Sequence, residues 1–152
     1  MRVAVDADGE ALKEALKEGP DLIKPNRQEF CRLTGLEPAT PEQCAGACRA
    51  LMARTGVGAV CLSLGGDGAV FADRTGALYA PAVKTEVLSL HGAGDSMLAA
   101  LCLSLLAGEN AASALRYAAA AAAATVSLPG TDMADEALVR AFLDRACVRE
   151  LD

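Results

Sequence analysis

Gly92-Ala93-Gly94-Asp95 runs directly into Ser96-Met97-Leu98-Ala99-Ala100-Leu101-Cys102-Leu103, a glycine-rich turn bearing one carboxylate that opens an apolar helix. Backbone N–H groups at a helix start have no intrahelical acceptor and lie at the positive end of the helix dipole, so such a turn can hold a phosphate or a developing anion. Asp95 would stand beside that anion as a general base. Glycines before a helix can equally do no more than make the turn, so other features have to decide.

The elements that must position this turn follow from pattern and punctuation. Arg2-Val3-Ala4-Val5-Asp6 reads as a short buried strand and Glu10 to Lys17 as a helix ending near Gly19-Pro20. Asp21 to Asn26 reads as a strand that must stop at Pro25, because the ring removes a donor and restrains the residue before it. Helices are expected over Arg27 to Thr34, closed by Gly35, and over Pro41 to Thr55, closed by Gly56. A buried strand over Ala59 to Leu64 leads into Gly65-Gly66-Asp67-Gly68. Ala69 to Phe71 and Ala77 to Ala80 flank Asp73-Arg74-Thr75-Gly76, a hairpin signal. An extended stretch around Thr85 to Leu88 precedes the turn at 92–95, whose helix is expected to reach Ala107. Two more helices are expected over Ala111 to Ser127 and Ala134 to Arg145. Strands alternating with helices favour an α/β layer architecture, in which ligands gather beyond the carboxyl ends of the strands. Asn26, the 65–68 turn and Asp95 are the candidates for such a rim.

The chain has 152 residues, fits one domain, and shows neither an internal repeat nor a linker. Its net charge of −6 argues against a nucleic-acid surface. No charge-free apolar run is long enough for a bilayer, and Asp6, Asp8 and Glu10 interrupt any leader-like segment, so the expected location is the cytoplasm without membrane contact. Six cysteines (Cys31, Cys44, Cys48, Cys61, Cys102 and Cys147) stand in apolar stretches with a single histidine, His91, and no Cys-x-x-Cys pair. They read as reduced core residues, not metal ligands. The seven alanines 118–124 are a strong helix former whose small side chains allow close approach of another backbone or a flat ligand.

Three segments in one order resemble a known family. Leu22-Ile23-Lys24-Pro25-Asn26-Arg27-Gln28-Glu29, Ser63-Leu64-Gly65-Gly66-Asp67-Gly68-Ala69 and Gly92-Ala93-Gly94-Asp95-Ser96-Met97 resemble the carboxyl-terminal half of a PfkB-type carbohydrate kinase of the ribokinase superfamily. Val5-Asp6-Ala7-Asp8-Gly9-Glu10-Ala11-Leu12 is similar to the strand and turn that precede them. The branch most resembled phosphorylates sugar phosphates, with fructose 1-phosphate first and tagatose 6-phosphate second. The resemblance implies a ribokinase-like fold, a Rossmann-like layered sheet with flanking helices, here as the nucleotide-binding half of one truncated domain over residues 1–152 with the lid missing. It implies an ATP-dependent kinase in which Asp95 is the catalytic base and the amides of Gly92, Ala93, Gly94 and Asp95 form the anion hole. Lys24 would reach toward the nucleotide phosphates, and Ser63, Leu64, Gly65, Gly66, Asp67 and Gly68 would line ATP. Asn26 and Glu29 match an Asn-x-x-Glu motif that acts indirectly on Mg²⁺. Read without the family, Lys24 is a solvated lysine at a strand end and Asn26 with Glu29 a helix cap.

Two residues depart from the family pattern. Leu90 stands where threonine or serine is usual, and His91 where a small or β-branched residue is usual; His91 is either a phosphate contact or an ordinary loop residue. The half that supplies the sugar contacts and the lid is expected to be absent, so turnover by this chain alone is expected to be weak. The alternatives are a non-catalytic ATP-binding domain, a half-enzyme completed by a partner chain, and a structural partner or homo-oligomer that pairs its exposed sheet edge.

Overall fold

Strands of two to five residues separated by helices build the first part of the molecule. The computed structural model describes residues 2–152, and these fall into two compact units. One comprises the chain up to Gly65 with Ala69–Tyr79 and Glu150–Asp152; the other comprises Gly66–Gly68 and Ala80–Arg149.

The first unit carries a sheet in the order β1 (Ala4–Val5), β2 (Leu22–Ile23), β3 (Ala59–Ser63), β4 (Ala69–Ala72), β5 (Ala77–Ala80), β6 (Arg149–Leu151). β1 and β2 pair parallel with Val5 opposite Ile23, and β2 and β3 pair parallel with Ile23 opposite Val60. β3 and β4 pair antiparallel, with Cys61 opposite Phe71. Helices α1 (Gly9–Lys17), α2 (Arg27–Thr34) and α3 (Pro41–Thr55) supply the crossovers between the parallel strands. Leu12, Leu16, Phe30, Cys44, Cys48 and Leu51 from these helices are buried with Ile23, Val60, Leu62 and Val70 of the strands. Burying each large aliphatic side chain contributes roughly 1.5–3 kcal/mol, and this core fixes where the strand ends lie.

Sequence punctuation sets the helix limits. Gly35 and Gly56 close α2 and α3 in the left-handed conformation at φ 73° and 76°. Strands β1 and β2 are shorter than their apolar runs suggest, because only two residues of each are hydrogen-bonded in register. The extended stretch expected around Thr85 to Leu88 forms no strand; Leu88 and Ser89 instead donate their N–H groups to the Val126 carbonyl at 2.8 and 3.3 Å.

The second unit is helical. It holds α4 (Ala93–Leu106), α5 (Ala111–Val126) and α6 (Glu136–Leu143), with α5 packed on both of the others. The alanine run lies inside α5, and Ala118, Ala120 and Ala124 are fully buried, so its small side chains serve close helix packing. Arg116 on α5 donates to the carbonyls of Leu143 and Ala146 at 2.8 and 2.9 Å, tying α5 to the end of α6 and the turn after it. Among the described residues no helix is long and apolar enough to cross a membrane.

The cysteines are all free thiols, but they are not uniformly core residues. Cys44, Cys48 and Cys61 are buried, Cys31 and Cys102 are half-buried, and Cys147 is exposed because it lies in the connection between α6 and β6.

Candidate active site

In the second unit, the turn at 92–95 forms the start of α4. Gly92 is its N-cap at φ 77° and ψ −6°, a left-handed conformation that a side chain would strain. Each of the other α-helices donates a backbone N–H of its first turn to its N-cap side chain: Asp8, Asn26, Thr40, Asn110 and Asp135 cap α1, α2, α3, α5 and α6. Alone among these helices, α4 has no side-chain cap. The amides of Ala93, Gly94 and Asp95 are thus left with the dipole's positive end and no capping oxygen, the condition for accepting an external anion. Asp95 lies in the first turn and is exposed.

The residues around the turn hold it in place. The Ser96 amide donates to the Gly92 carbonyl at 2.8 Å, closing the first helical turn. The Thr125 hydroxyl donates to Ser96 Oγ at 2.8 Å, and both side chains are buried. The Ser89 hydroxyl donates to the Gly130 carbonyl at 2.5 Å and accepts from the His91 amide at 3.2 Å. His91 Nδ1 also lies 3.2 Å from that hydroxyl. The ring of His91 is thereby engaged by its own loop.

In the first unit, Asn26 and Glu29 form a capping box at the start of α2. Asn26 Oδ1 accepts from the Glu29 amide at 2.9 Å, and a Glu29 carboxylate oxygen accepts from the Asn26 amide at 2.8 Å. Asn26 also bridges in parallel to Ser63 at the end of β3, where the Ser63 amide donates to the Pro25 carbonyl at 3.0 Å. The two motif segments 24–29 and 63–65 thus meet at the carboxyl ends of adjacent parallel strands. Lys24 is not a solvated lysine: it is 5% exposed, and its ammonium lies 2.9 Å from Asp6 Oδ2. Asp6 follows β1 and Lys24 follows β2, so parallel pairing in register brings them together.

The turn after β3 is a 3₁₀ segment, Gly65–Asp67. Gly68, in the second unit, has φ 98°, and a Cβ there would lie 2.0 Å from the Ala80 carbonyl oxygen. Only glycine fits this close backbone approach. Gly65, Gly66 and Asp67 are exposed and Leu64 is buried.

Among the described residues no group of three or more histidine, cysteine or acidic side chains could hold a metal ion. Magnesium does not require one, since it keeps several waters and takes one or two carboxylates together with substrate phosphates. Glu29 fits that requirement: the capping box occupies one of roughly four acceptor positions on its carboxylate, leaving the others for metal-bound water.

Sequence reasoning missed Asp6 as the partner of Lys24, and Ser89 and Thr125 as supports of the turn. The carboxyl ends of successive strands were a signal for Asp6. Nothing in the local sequence signals Thr125, whose role depends on how α5 packs against α4.

Comparison with known proteins agrees with this arrangement. Residues 1–137 match the model of the pfkB family carbohydrate kinases. The chain is 34% identical over 143 residues to the 1-phosphofructokinase of Escherichia coli K12, covering 94% of this chain and 46% of that enzyme. It is 36% identical over 137 residues to the bifunctional protein HldE of Bradyrhizobium diazoefficiens, covering 90% of this chain and 28% of that protein. The chain therefore spans less than half the length of either relative. Among solved structures, Escherichia coli phosphofructokinase-2 in complex with substrates and products superposes with a TM-score of 0.87 at 30% identity, over 94% of this chain and 47% of that one. Arabidopsis thaliana ribokinase complexed with ribose and ATP superposes with a TM-score of 0.82 at 29% identity, again over 94% and 47%. The mixed sheet with flanking helices is thus of the ribokinase-like kind, and the chain belongs to the pfkB family of carbohydrate kinases.

Proposed function

We propose that this chain carries the ATP-handling part of a sugar-phosphate kinase, with fructose 1-phosphate as the first acceptor to try and tagatose 6-phosphate the second. One observation carries the reading: the amides that open α4 have no side-chain cap, and a carboxylate, Asp95, stands in the same turn. Phosphoryl transfer depends mainly on positioning and on stabilising charge, and backbone amides at a helix start supply both. Losing one donor of such a hole costs roughly 2.7–4 kcal/mol of barrier.

In this reading Asp95 accepts the proton of the sugar hydroxyl as its oxygen forms the bond to the γ-phosphorus, and the bridging oxygen leaves with ADP. The amides of Gly92, Ala93, Gly94 and Asp95 face the transferring group. Lys24, already desolvated and paired with Asp6, exchanges part of that contact for the nucleotide phosphates, while Ser63 to Gly68 run along ATP. Glu29 and Asn26 would hold magnesium, which would supply neutralisation of phosphate charge.

The resemblance to 1-phosphofructokinase supports the acceptor class, and the ribokinase crystallised with ribose and ATP supports the nucleotide. A chain spanning 46% of its relative is expected to need further polypeptide for sugar contacts, whether a partner chain or a second copy. Leu103 and Leu106, 66% and 64% exposed on α4, are surface that such polypeptide would cover.

The test is ADP release by the purified chain with Mg-ATP and fructose 1-phosphate, tagatose 6-phosphate or fructose 6-phosphate, beside Asp95→Asn. The expected result is slow, sugar-dependent release that the substitution lowers by about 10²–10⁴-fold, the usual contribution of a general base. Release indifferent to both sugar and substitution overturns the assignment of Asp95. Mg-ATP binding without turnover selects the non-catalytic nucleotide-binding domain.

A further inference from the structure

We propose that Thr125 is a positioning residue: through Ser96 it fixes the direction in which the amides at the head of α4 point. The inference rests on the reading of that turn as the phosphate site, but its structural part can be tested without it.

The described α-helices contain three threonines, and two of them do what helical threonines ordinarily do. Thr34 and Thr55 donate to the carbonyls of Phe30 and Leu51, four residues back on their own helices, each at 2.8 Å. Thr125 does not spend its proton that way. Its hydroxyl crosses from α5 to α4 and donates to Ser96 Oγ at 2.8 Å. Thr125 is 1% exposed and Ser96 8%, so water does not replace this bond when it is lost.

Ser96 is where the pull is applied. Its amide closes the first turn of α4 on the Gly92 carbonyl at 2.8 Å, so holding Ser96 holds the peptide planes of residues 93–95 between them. The methyl group of Thr125 also borders the start of the turn, where a Cβ added at Gly92 would lie 3.6 Å from Thr125 Cγ2. The neighbouring backbone adds to the grip, because the Val126 carbonyl accepts from the amides of Leu88 and Ser89 just upstream of the turn. A helix that lacks a side-chain cap has one less means of fixing its first turn, and the carboxyl end of α5 supplies a constraint from outside.

Thr125→Val keeps the methyl and nearly the whole shape while removing the donor; Thr125→Ser keeps the donor and removes the methyl. Amide hydrogen exchange is measured residue by residue on the ligand-free full chain. In Thr125→Val the Ser96 amide is expected to exchange about tenfold faster, the scale of one buried hydrogen bond lost with its acceptor left behind, while Leu103 to Leu106 at the other end of α4 keep their rates. Thr125→Ser is expected to restore Ser96 to within about threefold of the parent chain. An unchanged Ser96 rate in Thr125→Val, or an increase shared equally along α4, overturns the proposal, since a merely structural role loosens the helix as a whole. Mg-ATP binding by the same proteins separates the two claims. If the parent chain binds and Thr125→Val binds about tenfold more weakly, both stand; if the parent chain does not bind while Ser96 responds as described, the phosphate-site reading falls and the positioning role stands.

Discussion

Lys24 illustrates how one buried charge commits its neighbours. The side chain of Lys24 is 6% exposed and that of Asp6 30%, so the ammonium is the desolvated member of the pair. Removing the carboxylate leaves a buried cation without a counter-charge, whereas removing the lysine leaves a carboxylate that water can still reach. Asp6→Ala is therefore expected to cost about 3 kcal/mol and Lys24→Met about 1 kcal/mol, read from urea midpoints. Equal costs would contradict the asymmetry. Cys48 gives a second prediction at this scale. Burial, and after it the neighbouring thiols Cys44 and Cys61, push its thiol far above the ordinary value of 9.0. A thiol that stays neutral in the folded chain and ionises in the unfolded one contributes stability that is complete below pH 9.0 and lost as pH rises toward the folded value. Between pH about 8 and about 10, Cys48→Ala should lose about 1 kcal/mol less stability than the parent chain. The opposite order would contradict the burial of this thiol.

Helix ends are the element-scale feature on which this molecule turns. At α2 the reciprocal bonds between Asn26 and Glu29 satisfy two amides at once, so each side chain does part of the other's work. Asn26→Ala and Glu29→Ala are each expected to cost about 1 kcal/mol, and the double substitution less than their sum, by a double-mutant cycle on urea midpoints. Strict additivity would mean that the two bonds are independent. The limits of α2 and α3 were legible in the sequence, because Asn26, Thr40, Gly35 and Gly56 are strong local punctuation. The strands were less so: β1 and β2 are two residues long and owe their limits to pairing, and β6 at Arg149–Leu151 has no alternating pattern to announce it. The Asp6–Lys24 contact was signalled only by the carboxyl ends of successive strands, and the Thr125–Ser96 contact not at all, for the same physical reason. Each joins residues far apart in sequence, through strand register in one case and helix packing in the other. The turn at 92–95 was legible as a candidate because its chemistry is local; that it alone among the α-helices lacks a side-chain cap needed the structure.

At the scale of the whole molecule, two compact units each carry part of the candidate site. The first holds the capping box and the buried lysine; the second holds the uncapped helix and Asp95. The α4 helix has no charged side chain between Asp95 and Glu109, and Leu103 and Leu106 are open to solvent. A helix apolar all round is ordinarily buried, which agrees with a chain matching only 46–47% of its full-length relatives. The function proposed above divides the work, giving nucleotide handling to the residues described and sugar contacts to further polypeptide. That division makes nucleotide binding a more direct test than turnover. Mg-ATP titrated into the isotopically labelled chain should produce its largest amide shifts at Gly92, Ala93, Gly94 and Asp95, with a second set at Lys24 to Glu29. Binding whose shifts bypass residues 92–95, or no binding at millimolar Mg-ATP, would contradict the account.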